Sequence, residues 1–271
     1  MKPQTRRILF SIAVLMWSAV LLYFYGSGRM NKYLAPDFRL IAFCGGLGLA
    51  VLALFNLLTS GQSANCGHDH GDDGHDHESG DLHPLAALLL MVLPVALSVA
   101  WTKDEYSISA LARKGLYDTP SGESSRFLAS SMPALSLEEI EKTHPKTADG
   151  FHQFSLLDLF FATGDRELQS IVEGLKVETE GRWMDEKVRN PQGTRKRLYR
   201  LFVTCCAADS KAIPVILDFG KMPPEFPENG WVKVSGTMRF PLEDGELQPV
   251  LIVDHAAESK PPEEESFMRN P

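Results

Sequence analysis

The sequence predicts an α-helical membrane anchor with three transmembrane helices, followed by a mainly β soluble domain. We expect that domain to be an OB-like five-stranded barrel with short flanking helices. Three observations carry this prediction. Uncharged apolar runs fill much of the first 101 residues, and short β-type segments separated by Gly and Pro follow residue 168. The net charge of −8 falls on residues 104–271, because the first 103 residues carry equal numbers of acidic and basic side chains.

The apolar runs are residues 8–25, 40–58 and 85–101, which contain 18, 19 and 17 residues. A helix needs about 20 apolar residues to cross the hydrocarbon core, with about 17 as the lower bound. Each run is therefore long enough to span, the third only just, and the third contains Pro94. We assign residues 1–103 to a transmembrane region.

A cleaved signal peptide is the alternative for the first run, because Lys2, Arg6 and Arg7 form a charged n-region. However, the run exceeds the ~7–15 apolar residues of such a peptide, and aromatic residues 23–25 are typical of a membrane interface. A retained anchor is therefore favoured.

The orientation in the membrane stays open. The count of positive residues favours an external 59–83 loop, whereas the basic N-terminal tail favours the reverse.

The second apolar run carries small residues at four-residue spacing, namely Ala42, Gly46 and Ala50. Small residues on one face allow a second helix to approach closely. This spacing predicts close packing, either within the chain or with a partner.

The loop 59–83 contains an unusual density of metal-binding side chains. Imidazole and thiol groups favour zinc first, and nickel or copper next. In an extended segment the two His-x-His pairs each place both rings on one face, while nearby glycines keep the loop flexible. We expect loose, exchangeable Zn²⁺ binding; the alternative is a solvated polar spacer. The candidate ligands are Cys66, His68, Asp69, His70, Asp72, Asp73, His75, Asp76, His77, Glu78 and His83.

Residues 104–167 are predicted to form a linker with short helices. The Ser136–Glu139 segment fits a capping box that opens a helix ending before Pro145. The segment 154–161 places Phe154, Leu157, Phe160 and Phe161 on one helical face, which indicates core packing or a surface-lying helix.

Residues 168–257 are predicted to form the β domain. Five strand-like segments, separated by Gly and Pro, favour a Greek-key barrel of the OB type. The segments cover residues 171–177, 198–205, 213–219, 231–238 and 250–253. The Pro- and Glu-rich tail 258–271 is predicted to be disordered.

Cys205 and Cys206 are adjacent and are the only cysteines in the sequence of this domain. On a strand they would point to opposite faces and could not easily share a metal, so at least one is expected to be a small buried hydrophobe. Asp209 is either a further ligand or a turn residue, and the turn is favoured. A thiol enzyme would instead need a thiol of lowered pKa near Arg200 or Lys211.

The basic run, the isolated histidines and the motif search give no indication of an enzyme. Basic residues 195–197, with Tyr199 and Arg200, could hold single-stranded nucleic acid, but the short run and the acidic domain favour a solvated strand or lipid contact. Three isolated histidines are expected to be core or surface residues: His144, His152 and His255. The sequence contains no GxSxG, Walker, HExxH or Rossmann motif.

The run 199–209, an Arg-led strand ending in Cys-x-Ala-Asp, and the later strand 231–236 resemble the YcgQ-like family of bacterial membrane proteins. The order of parts is also similar: apolar anchors, a His-rich loop and a soluble domain. The matching positions are Cys206, Ala208, Asp209, Trp231 and Gly236. The resemblance implies a multi-pass protein of the bacterial inner membrane, a YcgR-like permease as partner, and a link to metal homeostasis. The family's aromatic C-terminal end is missing here.

We therefore expect an integral membrane accessory subunit of a permease, with lipid and the permease as its contacts and no nucleic acid. The anchors carry almost no charge at membrane depth, so they are not expected to form a transport path alone. The alternative is a membrane-anchored ligand-binding or sensor module without a role in transport.

Overall fold

The computed structural model describes residues 3–60, 84–101, 106–118 and 137–268. The chain divides into two compact units, Met1–Glu105 and Tyr106–Asn270. The predicted metal ligands from Cys66 to His83 lie outside the described residues, as does Ser136 of the predicted capping box.

The first unit contains helices α1 (Pro3–Gly26), α2 (Pro36–Thr59) and α3 (Pro84–Trp101), with a 3₁₀ turn at Arg29–Lys32. Within the described residues, two helices are long and apolar enough to cross a membrane, over 23 residues of α1 and the 24 of α2. The apolar part of α3, Leu85–Trp101, is shorter. At ~1.5 Å per residue it reaches ~26 Å, less than a hydrocarbon core of ~30 Å. The prediction of three spans is therefore corrected to two.

Helices α1 and α2 pack closely at Gly46. A Cβ atom at this position would lie 3.2 Å from side-chain atoms of both Leu21 and Leu22. The hydroxyl of Ser18 donates a hydrogen bond to the Gly46 carbonyl at 2.7 Å, in a buried position. The close approach predicted from the small residues of α2 therefore occurs within the chain.

The described residues of the second unit before strand 176–185 contain the short helices α4 (Ile108–Arg113), α5 (Leu137–Thr143), α6 (Leu156–Ala162) and α7 (Arg166–Val172). Helix α5 confirms the predicted helix before Pro145. In α6 a capping box between Ser155 and Asp158 fixes the N-terminus. Phe160 and Phe161 are buried in the core as expected, whereas Phe154, also buried, precedes the helix.

Helix α7 replaces the start of the first predicted strand. The Asp165 side chain accepts hydrogen bonds from the backbone N–H groups of Glu167 and Leu168, which opens a helix despite the β-branched pair at 171–172. Gly174 then takes a positive φ of 82°, which a non-glycine residue rarely adopts. The strand therefore starts later than predicted, at Lys176.

The described strands of the second unit are β1 (His152–Gln153), β2 (Lys176–Asp185), β3 (Arg195–Val203), β4 (Lys211–Asp218), β5 (Trp231–Arg239), β6 (Leu242–Glu243), β7 (Glu246–Leu247), β8 (Val250–Glu258) and β9 (Phe267–Met268). A mixed seven-stranded sheet forms the centre of this unit, in the order β1-β2-β5-β8-β4-β3-β9. Strands β2 and β3 also pair, so five long strands pair in a closed order, with β4 and β8 parallel. This confirms the β domain. Four of the five predicted segments lie mainly in its long strands, whereas the segment 171–177 overlaps β2 only at residues 176–177. The OB-type barrel stays a prediction.

The segment after α3 folds onto the sheet. Leu111 of α4 and the following Leu116 are fully buried against Met184, Tyr199 and Ala212. Residues 106–118, the first described part of the predicted linker 104–167, therefore belong to the second unit.

The tail that was predicted to be disordered contacts strand β3 in its described residues. Strand β9 pairs in parallel with β3, and the Arg200 guanidinium donates to the carbonyl groups of Glu264 and Glu265. Arg200 also lies 4.1 Å from the centre of the Phe267 ring, and Arg182 forms an ion pair with the Glu265 carboxylate. These contacts offset the low hydrophobicity from which disorder was predicted.

Candidate functional site

Three potential metal ligands meet just after strand β3. Each of Cys205, Cys206 and Asp209 offers one ligand atom, and these atoms all lie within 4.8 Å of one another. Strand β3 ends at Val203, and a 3₁₀ turn begins at Ala207, so the cysteines lie beyond the strand. The expectation that they point to opposite faces of a strand is therefore wrong. Both are half-buried, so the expectation of a buried hydrophobe is wrong as well.

Asp209 folds the turn around the two cysteines. Its Oδ2 atom accepts the backbone N–H of Cys205 at 2.9 Å, and its Oδ1 atom accepts that of Cys206 at 3.2 Å. The Cys206 side chain accepts the Asp209 backbone N–H in return, which completes a capping box. The favoured interpretation of Asp209 as a turn residue agrees with this geometry, and its carboxylate also lies beside both thiols.

The two thiols differ in acidity. Backbone N–H groups of Ala208 and Asp209 donate to the Cys206 sulfur, which stabilises its thiolate and lowers its pKa. Hydrogen bonding to the Asp209 carboxylate, and to Cys206, raises the pKa of Cys205 to about 11. Partial burial acts to raise the pKa of Asp209, but hydrogen bonds from the Cys205 thiol and the turn backbone lower it overall. Cys206 is therefore the more nucleophilic thiol near neutral pH.

The side chains of Lys114 and Tyr106 donate hydrogen bonds to backbone carbonyl groups of the turn. The Lys114 ammonium donates to the carbonyl oxygens of Ala207 at 2.9 Å, and of Ala208 and Ser210 at 3.3 Å each. The Tyr106 hydroxyl donates to the Ala207 carbonyl at 3.1 Å. Sequence reasoning named Arg200 or Lys211 as the nearby cation and missed Lys114, because nothing local connects residues 93 positions apart.

The other signature residues lie on strand β5. Trp231 is buried, with the guanidinium groups of Arg182 and Arg200 at 5.6 and 5.5 Å from its ring. Gly236 lies at a register shift between β5 and β8, where a Cβ atom would collide with the Ile252 carbonyl oxygen. Cys206, Ala208 and Asp209 therefore form the turn, whereas Trp231 and Gly236 support the sheet.

The basic run 195–197 is used inside the second unit. Arg195 lies 2.9 Å from each of two carboxylates, Lys196 lies 2.6 Å from a third, and Arg197 is buried against a fourth. The partners are Asp218 and Glu243 for Arg195, Asp185 for Lys196, and Glu186 for Arg197. All three basic side chains are therefore paired with carboxylates, which differs from the solvated strand that was favoured. The expectation that no nucleic acid binds here stays a prediction.

The three isolated histidines differ in burial. His144 and His152 are buried, and His255 is exposed. The His144 ring stacks on Phe154 at 4.1 Å, and its Nε2 atom lies 3.5 Å from the Asp158 carboxylate.

These features define a two-part protein, in which two helices of membrane-spanning length precede a mixed β domain with a surface thiol–carboxylate turn. Comparison with known families agrees with this division. The DUF1980 N-terminal domain matches residues 9–116, and the DUF1980 C-terminal domain matches residues 170–266. The chain belongs to this family, whose function is uncharacterised. No curated protein is significantly similar to the chain.

Proposed function

We propose that this chain is a membrane-anchored accessory subunit of a permease, of the YcgQ-like type, that binds a divalent metal through its His-rich loop. The helices would anchor it in the bacterial inner membrane and contact a YcgR-like permease. The soluble domain would dock on the permease or gate it. Zinc is the expected metal, because imidazole, thiol and carboxylate groups together suit it best.

The main observation in support of this proposal is the exposed apolar face of α2. Only Gly46 and Ala53 of this helix are buried, while Leu47, Val51 and Phe55 lie one turn apart and are 44 to 65% exposed. Such a face needs lipid or another helix against it.

The charges of the helices support a subunit over a transporter. The charged side chains of α1 and α2 lie near their N-termini, and α3 contains none. A transport path needs polar groups at membrane depth, so a partner would have to supply them.

The closed pairing of five strands supports an OB-type soluble domain, in which the last strand lies between the third and the fourth. Such domains bind ligands or partners, which suits docking. It equally suits the second candidate function, a membrane-anchored ligand-binding or sensor module that needs no permease.

Two experiments test the proposal. Zinc analysis of the detergent-purified, untagged protein should show a zinc content that falls when His68, His70, His75 and His77 are all changed to Ala. Val51→Trp places bulk on the exposed face of α2, so it should abolish co-purification of a multi-helix permease while membrane insertion persists. Gly46 does not serve for this test, since it packs inside the chain.

Two outcomes would contradict the proposal, the first its role as a subunit and the second its metal-binding loop. A protein purified from native membranes in mild detergent without any multi-helix partner would favour the sensor module. Zinc content unchanged by the four His→Ala substitutions would reduce the loop to a polar spacer.

A further inference from the structure

We propose a second metal site, at which Cys205, Cys206 and Asp209 bind an exchangeable zinc ion on the surface of the soluble domain. This site needs no residue of the His-rich loop, so it goes beyond the proposed function. Its ligands come from five consecutive residues of one turn.

The spacing of the ligand atoms fits a tetrahedral ion. Zinc–sulfur bonds of ~2.3 Å and a tetrahedral angle place neighbouring sulfur ligands ~3.8 Å apart. The three ligand atoms already lie within 4.8 Å of one another. Side-chain rotations that shorten these distances by up to ~1 Å would complete the geometry, without a change in strand β3.

The turn backbone orients the ligands. Two backbone N–H groups bind the two oxygens of Asp209 at 2.9 and 3.2 Å, which fixes the plane of the carboxylate. The carboxylate also accepts a hydrogen bond from the Cys205 thiol. That hydrogen bond is given up when the Cys205 thiolate binds the metal, which frees a lone pair of the carboxylate for the same ion. Such outer hydrogen bonds are the usual means of aiming a metal ligand.

Lys114 fixes the turn without competing for the ligands. Its ammonium binds three carbonyl oxygens, those of Ala207, Ala208 and Ser210. The thiols and the carboxylate stay available on the side that faces solvent, where Asp209 is exposed and both cysteines are half-buried.

The ligand set selects the class of metal. Two thiolates and one carboxylate favour Zn²⁺ over Mg²⁺ or Ca²⁺, which prefer oxygen ligands alone. Structural zinc sites use four protein ligands, whereas three leave one position for water or an incoming ligand. The partly exposed site therefore suits exchange of zinc and not permanent storage.

The experiment uses the full chain with the loop disabled, so that loop zinc does not contribute. In this background His68, His70, His75 and His77 are changed to Ala and Cys66 to Ser. We expect one equivalent of zinc to remain, and Co²⁺ substitution to give a thiolate-to-metal charge-transfer band. A tenfold excess of Mg²⁺ should displace neither ion.

Cys206→Ser is the decisive variant, because serine is a good N-cap residue and preserves the turn while removing a soft ligand. It should weaken zinc binding more than ~100-fold, since even outer-shell changes cost ~10- to 100-fold. Asp209→Asn should weaken binding too. Cys44→Ser removes the exposed cysteine of α2 and serves as the matched control, with unchanged binding.

The outcomes separate this site from the proposed function. Absence of zinc and of the Co²⁺ band in the loop-disabled protein, or equal affinity in the Cys206→Ser variant, would overturn the site. Neither result bears on the permease or on metal in the loop. Conversely, zinc that binds at this turn but not in the loop would contradict the metal-binding role of the loop and support the site at Cys205, Cys206 and Asp209.

Discussion

The ammonium nitrogen of Lys114 lies 2.9 Å from the carbonyl oxygen of Ala207, across 93 residues of sequence. This contact ties the segment that follows α3 to the turn that carries both cysteines. The backbone N–H of Ala212 reinforces it by donating to the Lys114 carbonyl at 2.8 Å. The geometry of the candidate site therefore depends on a residue far outside its own sequence.

Lys114→Met should destabilise the second unit and loosen the turn. Methionine keeps the length of the side chain but leaves three carbonyl groups without their charged donor. Hydrogen bonds to charged groups contribute about 1.5–3 kcal/mol, and partial exposure lowers this, so we expect a loss of about 1–2 kcal/mol. Urea unfolding followed by tryptophan fluorescence measures it. Lys221→Met, at an exposed position after β4, is the control; equal unfolding midpoints for both variants would contradict the role of Lys114.

The two adjacent cysteines should react at different rates with iodoacetamide. At pH 8 the lowered pKa of Cys206 leaves more of it as the thiolate, while a pKa of about 11 keeps Cys205 almost fully protonated. The rate at Cys205 should therefore rise as the pH approaches 11, well after Cys206 has levelled off. Peptide fragmentation that separates the two positions measures both rates.

Asp209→Asn is the matched variant for thiol reactivity. It removes the carboxylate whose hydrogen bond and charge raise the pKa of Cys205. The rate at Cys205 at pH 8 should then increase several-fold. Equal rates at the two cysteines in the parent protein, or an unchanged Cys205 rate in the variant, would show that the turn does not set their acidity.

The sequence predicted the parts of this protein that depend on local patterns. Uncharged apolar runs indicated the helices of the first unit, and period-two alternation at 231–238 indicated strand β5. Prediction from these local patterns failed where the contacts of one polar side chain override the secondary-structure propensity. Asp165 caps helix α7, which takes in residues 171–172, and Arg200 contacts the tail at Phe267.

The candidate site was predicted only in part, for a related reason. The identity of Cys206 and Asp209 was visible in the sequence, but the end of strand β3 at Val203 was not, and a shift of two residues changes where both thiols point. Lys114 left no local signal at all. Long-range contacts of this kind depend on how the sheet closes, which no short window of sequence contains.

Gly46→Leu should separate α1 from α2, because added bulk at Gly46 meets Leu21 and Leu22 at 3.2 Å. Gly45→Leu is the matched control, since a Cβ atom there meets nothing within 4 Å. We expect a lower melting temperature in detergent for the Gly46 variant only, with Ser18→Val giving a smaller decrease through its lost hydrogen bond. Equal melting temperatures for the two leucine variants would contradict close packing at Gly46.

Arg197→Met should be the most destabilising change in the sheet. Arg197 and Glu186 form an ion pair whose side chains are only 2% and 0% exposed, and burial lowers the pKa of Arg197. Removing the arginine leaves a carboxylate without its charge partner inside the protein, which costs about 3–5 kcal/mol.

Glu186→Gln in the Arg197→Met background should recover much of this loss. A glutamine oxygen can still accept the backbone N–H groups of Val188 and Arg189, which bind Glu186 at 2.8 and 3.0 Å, while no charge stays buried. Urea unfolding of the parent, the single variant and the double variant gives the three free energies of unfolding. A double variant no more stable than Arg197→Met would show that lost packing of the arginine, and not the unpaired carboxylate, causes the destabilisation.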